Sequence, residues 1–399
     1  MAQPDGLVRD LTAALDAIPL IDAHSHIDPL APTAKSLDDI LGYHYYTELA
    51  HSAGMPHDVL AACVDPRVRC REIVQFLERF DNTAQHAWFV EIARTFLGFA
   101  GDRVTAADAD TLFDAAAKTF AQPDWVGQVF AKTNLEKVFL TNEFDDPLEG
   151  FDTSRYVPCL RTDALVLKLH EPAVHERLAK ATGVEVGDAA SLRAAIRKLF
   201  EHFTAKGAKA CAISLPHDFD PAASATFLTL AEHCREFGLP FDLMIGVTRD
   251  VYPGGVHQGR DLFDRGGSLV QYRGLFNAFP EVKFPVSVLT SAQNQELVAY
   301  SWIFPNVITS GHWWYSNTPA YIGRDLTERL QAVPKTKQVG YYSDAYKLEF
   351  VLPKFGMYRH ILAGVLADGY VRPGRATEAE AVALGQRLLR DNVREIFDV

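Results

Sequence analysis

Eight short runs of apolar, β-branched and aromatic residues recur along the chain, each followed by a helical stretch. They are PLIDA (19–23), KVFLT (137–141), YVPCL (156–160), KACAIS (209–214), FDLMIG (241–246), VKFPVSVL (282–289), NVITS (306–310) and QVGYYSD (338–344). Runs so short and so apolar suit strands buried on both faces of a parallel sheet, because the crossover helices that join parallel strands also cover them. Eight such alternations predict an α/β fold, a TIM-like (β/α)8 barrel, in preference to an open sheet. The helical stretch 191–208 starts at a plausible cap, Ser191, and stops at Gly207; the stretch 226–240 stops at Gly238 and Pro240. One interval breaks the rhythm. Between the first two strands lie helical patterns such as 84–101 and 108–122. We expect a single barrel domain over 1–399, with a mostly helical insertion at 48–134 in the first βα loop. Loops of that kind gather on one face of a barrel, so the insertion either shapes a site there or only buries apolar surface.

Composition narrows the function classes. Hydrophobic residues make up 48% and charged residues 23%, which are globular values. With 51 acidic against 39 basic side chains, the net charge of −12 argues against a nucleic-acid surface. An anionic small molecule would need Arg or Lys placed locally against that field. Five scattered cysteines, none in a Cys-x-x-Cys pair, suggest reduced thiols rather than a disulfide frame or thiolate metal site. The first twenty residues do not read as a signal peptide, and no apolar run reaches the ~20 residues of a membrane span. The expectation is a soluble cytoplasmic protein with no membrane partner, with homo-oligomerisation left open.

The chemistry starts at Asp22-Ala23-His24-Ser25-His26. Alternate side chains of a strand share one face, so His24 and His26 can converge at the end of the first strand. Imidazoles there suit zinc, manganese or iron. Asp344 ends the eighth run, and in a closed barrel strands one and eight are neighbours. It is either a third ligand or a helix cap; its place across the seam from the histidines favours the ligand.

These residues sit in a wider pattern that resembles the amidohydrolase superfamily, and within it the uronate isomerases. The resemblance runs through IDAHSHIDP (21–29), LGYHYYTELA (41–50), FLTNEFDDPLEG (139–150), VPCLRTDALV (157–166), DLMIGVTRD (242–250), SGHWWYSNTP (310–319), GYYSDAYKLEF (340–350) and DNVREIFDV (391–399). It implies a divalent ion on His24, His26 and Asp344, zinc first, with manganese or iron as alternatives. It also implies substrate contact by His44, Tyr45 and Arg161, and a small anionic sugar acid as the substrate. The roles make chemical sense: Arg161 can grip a carboxylate through two parallel hydrogen bonds, and His44 and Tyr45 offer a proton carrier and a hydroxyl. Trp313 and Trp314 would form an apolar wall for a sugar.

Three polar positions depart from the family pattern. Met244 stands where uronate isomerases carry a His on the fifth strand. Leu215-Pro216-His217-Asp218 replaces an Asp-His-Gly run, and Tyr346, followed by Lys347, replaces an Arg two positions beyond the aspartate. His217, Asp218, His312 and Lys347 are the candidate substitutes, and Arg249 or Lys347 would assist Arg161 with the carboxylate. Two reactions fit. One is aldose–ketose isomerisation of a hexuronate, with Asp344 as base and His44 and Tyr45 assisting at oxygen. The other is metal-dependent hydrolysis of a lactone, ester or amide of a sugar acid, with Asp344 as proton shuttle.

Overall fold

The computed structural model describes residues 5–399. All eight sequence runs are strands. They are β1 (Leu20–Asp22), β2 and β3 (Leu135–Phe139, Asn142–Glu143), β4 and β5 (Tyr156–Val157, Cys159–Arg161), β6 (Ala210–Pro216) and β7 (Phe241–Thr248). A short β8 (Leu262–Phe263) follows, then β9 (Phe284–Val288), β10 (Val307–Ser310) and β11 (Gln338–Val339). β2 with β3 and β4 with β5 each form one stave, the second interrupted at Pro158, whose missing N–H cannot join a ladder. Parallel pairing runs β1–β2–β4 and β3–β5–β6–β7–β9–β10–β11, so the staves follow one another in chain order; only β8 is antiparallel, on the end of β7. The last stave meets the first without a ladder. His26 N–H donates to the Ala345 carbonyl at 2.8 Å and Asp344 N–H to the His24 carbonyl at 3.1 Å. Asp22 adds a side-chain stitch, accepting from the Ser343 N–H at 2.8 Å and from the Ser343 hydroxyl. The (β/α)8 barrel is therefore joined at its seam by the segments that follow β1 and β11.

Local signals explain most helix ends. Thr83 caps Ala84–Leu97, which stops at Gly98 with φ +70°, and Ser224 caps Ala225–Phe237, which stops at Gly238 with φ +68°. The helix expected to start at Ser191 instead spans Ala189–Ala205. Its cap is Asp188, which accepts from the Ser191 N–H at 2.8 Å, so Ser191 takes the third helical position of a capping box. Between β1 and β2 lie six α-helices, from Leu37–Leu41 to Trp125–Thr133. Their buried faces, including Trp88, Phe89 and Ile92, join the same apolar cluster as the seam side of the barrel and the helix Val351–Leu366. A second cluster packs the outer helices against the opposite wall, through Phe200, Phe227 and Phe241. No helix among the described residues is long and apolar enough to cross a membrane.

Candidate active site

At the C-terminal ends of the staves lies a cavity with about 780 Å3 of open space, its mouth included. This is the end of a parallel barrel where reactive groups from several strands can meet. His24, His26 and Asp344 converge at its base, with candidate ligand atoms all within 4.8 Å of one another. His26 Nε2 lies 3.3 Å and His24 Nε2 3.6 Å from Asp344 Oδ1. Neither His24 Nε2 nor Asp344 Oδ1 has a hydrogen-bond partner, although both are buried. Stranding two polar atoms in this way is costly unless a cation lies between them. Two imidazoles and a carboxylate are a fitting donor set for a divalent ion, with positions left open for substrate.

The surroundings orient the ligands. Thr141 Oγ1 donates to the Ser25 carbonyl at 2.9 Å, so it must accept from His26 Nδ1–H at 2.8 Å. That leaves the His26 Nε2 lone pair facing Asp344 and the cluster. Burial holds His24 at about 3, helped by the neighbouring His26, so its imidazole is neutral and able to ligate. Asp344 sits in the left-handed region at φ +52°. Burial alone would raise its carboxyl, but the side chains of His26, His24 and Lys354 around it outweigh that and hold it below the usual carboxylate range.

The other expected residues divide in two. Arg161, Arg249, His44, Trp313, Trp314 and Tyr346 line the cavity. Arg161 contacts Asp163 at 3.2 Å and Glu143 at 3.7 Å, and Arg249 donates to Asp261 at 2.6 Å. Burial takes His44 down to about 3, and its Nδ1 is unpartnered. Tyr45, His217, His312 and Lys347 are not in the cavity wall. Tyr45 packs edge-on against Trp88, His217 pairs with the Thr248 hydroxyl at 3.0 Å, and Lys347 donates to the Ala31 carbonyl at 2.7 Å. His312 is buried behind β10 near Tyr341 and Tyr358, both ring nitrogens without partners. Of the altered positions, Met244 and Tyr346 face the cavity, whereas Leu215 packs outward among the helices and Ser214 takes the inward place.

Sequence reading missed Thr141, Ser214, Gln258 and Asp261. The last two belong to the loop 249–261, which carries no strand or helix pattern. That loop lies over the mouth, where Gln258 donates to the Tyr346 hydroxyl at 2.9 Å and Tyr315 donates to the Asp261 carbonyl at 2.7 Å. Its approach to the helix His44–Ser52 needs a glycine: a Cβ on Gly259 would lie 2.7 Å from Glu48 Cγ.

A parallel eight-stave barrel with a His-x-His pair leaving its first strand and an aspartate beyond its eighth is the arrangement that the resemblance to the amidohydrolase superfamily implies. No family model matches the chain. Proteins named uronate isomerase are similar to it at 22–26% identity. A uronate isomerase of Rhizorhabdus wittichii is 24% identical over 92% of this chain and 90% of its own length. One of Brucella canis is 23% identical over 97% and 96%. The crystal structure of glucuronate isomerase from Caulobacter crescentus superposes with a TM-score of 0.89 at 20% identity, covering 100% of this chain and 95% of that one. That of uronate isomerase from Thermotoga maritima gives 0.88 at 17%, covering 98% and 97%.

Proposed function

We propose that the protein is a metal-dependent aldose–ketose isomerase acting on a hexuronate or a closely related sugar acid. The observation that carries this reading is one cavity holding both the His24–His26–Asp344 cluster and two arginines at its wall. Zinc is our choice of ion, since two imidazoles and a carboxylate are common zinc ligands, with manganese and iron next. When bound, such an ion supplies positive charge that polarises a carbonyl and lowers the energy of an anionic enediol.

The chain's own residues do the rest. Arg161 and Arg249 hold the substrate carboxylate, which offsets the acidic character of the whole molecule. Trp313 and Trp314 supply an apolar wall that limits water. Asp344 takes the proton from C2 and returns it to C1, while neutral His44 carries the hydroxyl proton between the two oxygens. The Tyr346 hydroxyl accepts from Gln258, so its own proton is free for a substrate oxygen. Tyr346 thus takes the place first considered for Tyr45. We read residues 1–399 as one cytoplasmic enzyme domain, with the 48–134 helices as an insertion that meets the 249–261 loop, where His57 reaches the Gly255 carbonyl.

The test is incubation of metal-replete protein with glucuronate and galacturonate in D2O. Ketose formation with deuterium entering carbon is expected. Silence on a panel of sugar acids refutes isomerisation; release of the free acid from a lactone, ester or amide of a sugar acid marks a hydrolase instead.

A further inference from the structure

Lysine is rarely buried completely, yet Lys354, in the helix Val351–Leu366, exposes nothing. Its ammonium donates to the Ser343 carbonyl at 2.7 Å and to the Tyr43 hydroxyl at 2.8 Å. An ammonium has donors only, so the Tyr43 oxygen accepts and sends its own proton to the Asp344 carbonyl at 2.8 Å. The rings of Tyr45, Trp88 and Tyr43, with centroids 4.8, 4.9 and 5.0 Å from the nitrogen, box in the charge.

The two carbonyls held in this way belong to the peptide groups on either side of the Asp344 Cα. Those peptides set the backbone angles of Asp344, whose left-handed φ of +52° is unfavourable for a non-glycine residue unless its surroundings hold it. From the other side Asp22 takes the Ser343 N–H and hydroxyl. Lys354 does not line the cavity and has no path to substrate.

We propose that Lys354 is a positioning residue for the metal centre: directly through Ser343 and by way of Tyr43, it locks the Asp344 backbone so that the carboxylate meets His24 and His26. This rests on reading that cluster as a metal centre. A buried lysine that only stabilises the fold would leave ligand geometry, and so ion affinity, untouched.

The experiment is chelator competition with Zn2+ and Mn2+ on the full chain and on Lys354→Met, which keeps length and loses every donor. Ion affinity is expected to fall about 10–100-fold, with kcat recovering at saturating ion and KM for substrate unmoved. Tyr43→Phe, which removes only the relayed hydroxyl, is expected to weaken the ion in the same direction by less, and decides the matter where Lys354→Met does not fold. The double variant is expected to lose less than the sum of the two single losses, since the Tyr43 hydroxyl is one of the two arms through which Lys354 acts. Unchanged affinity in a folded single variant overturns the proposal. A wild-type protein that takes up neither ion overturns the metal centre itself.

Discussion

Asp242 lies on β7 one rung below Met244 and faces the barrel interior, with its Oδ1 buried and unpartnered. Burial pushes its carboxyl up to about 7, so the folded protein keeps a proton there that the unfolded chain releases near 3.9. Linkage fixes the sign. Below the unfolded pKa both states hold the proton and nothing is lost. As pH rises toward about 7 the unfolded state gains by ionising while the folded state cannot, so stability falls; above about 7 the loss is constant. Between pH 5 and pH 8 the window spans about two units, worth about 3 kcal/mol at ~1.4 kcal/mol per unit. Asp242→Asn keeps the shape and removes the titration. Urea unfolding of both proteins at pH 5 and pH 8, compared at equal slopes, reads the change in their difference, which cancels whatever the amide does to packing. The variant is expected to gain about 3 kcal/mol relative to wild type on going from pH 5 to pH 8. A difference that stays flat, or a variant that loses ground as pH rises, would show that Asp242 is ionised and partnered, and the reasoning fails.

Thr141→Val removes the hydroxyl that fixes the His26 tautomer and should weaken Zn2+ binding about 10-fold or more, measured by chelator competition; equal affinity would mean that His26 orients without it. Gly311→Ala places a Cβ 2.1 Å from the Tyr342 ring at a φ of +38°, so a loss of about 3 kcal/mol or more is expected from thermal or urea unfolding. Arg161→Met should lower kcat/KM for a hexuronate about 10–100-fold, mostly through KM, as expected for a charged hydrogen bond worth about 1.5–3 kcal/mol; an effect on kcat alone would remove Arg161 from carboxylate binding. Stripping the ion with a chelator should lower Tm, and adding it back should restore the loss.

The staves could be read from the chain because buried parallel strands must be short, apolar and regularly spaced, and those demands leave a mark on local composition. His24, His26 and Asp344 were legible for a related reason: strand periodicity fixes which way a residue at a strand end points, and barrel closure fixes which ends are neighbours. His217, His312 and Lys347 had the right chemistry at nearly the right positions, yet sit outside the cavity wall. Their side chains lie past the strand ends, where direction is set by tertiary contacts such as the Ala31 carbonyl that Lys347 reaches across the seam. Gln258 and Asp261 come from an irregular loop, and Lys354 from a helix whose interior face looks merely apolar in sequence. Ser191 was mistaken for a cap because Asp188 and Ser191 are both capping residue types, and only backbone angles separate the cap from the third position of the box.

The seam gives the molecule an unusual economy. The amides of His26 and Asp344, which join the last stave to the first, belong to the residues that would grip the ion. Ring closure and ligation are consequently one event, so an opening of this joint would spill the ion before any other stave parted. Amide exchange at His26 and Asp344 should slow together when the ion is added, while β6 and β7 across the barrel stay indifferent. That far wall carries no such double duty, and it turns the apolar Met244 toward the cavity.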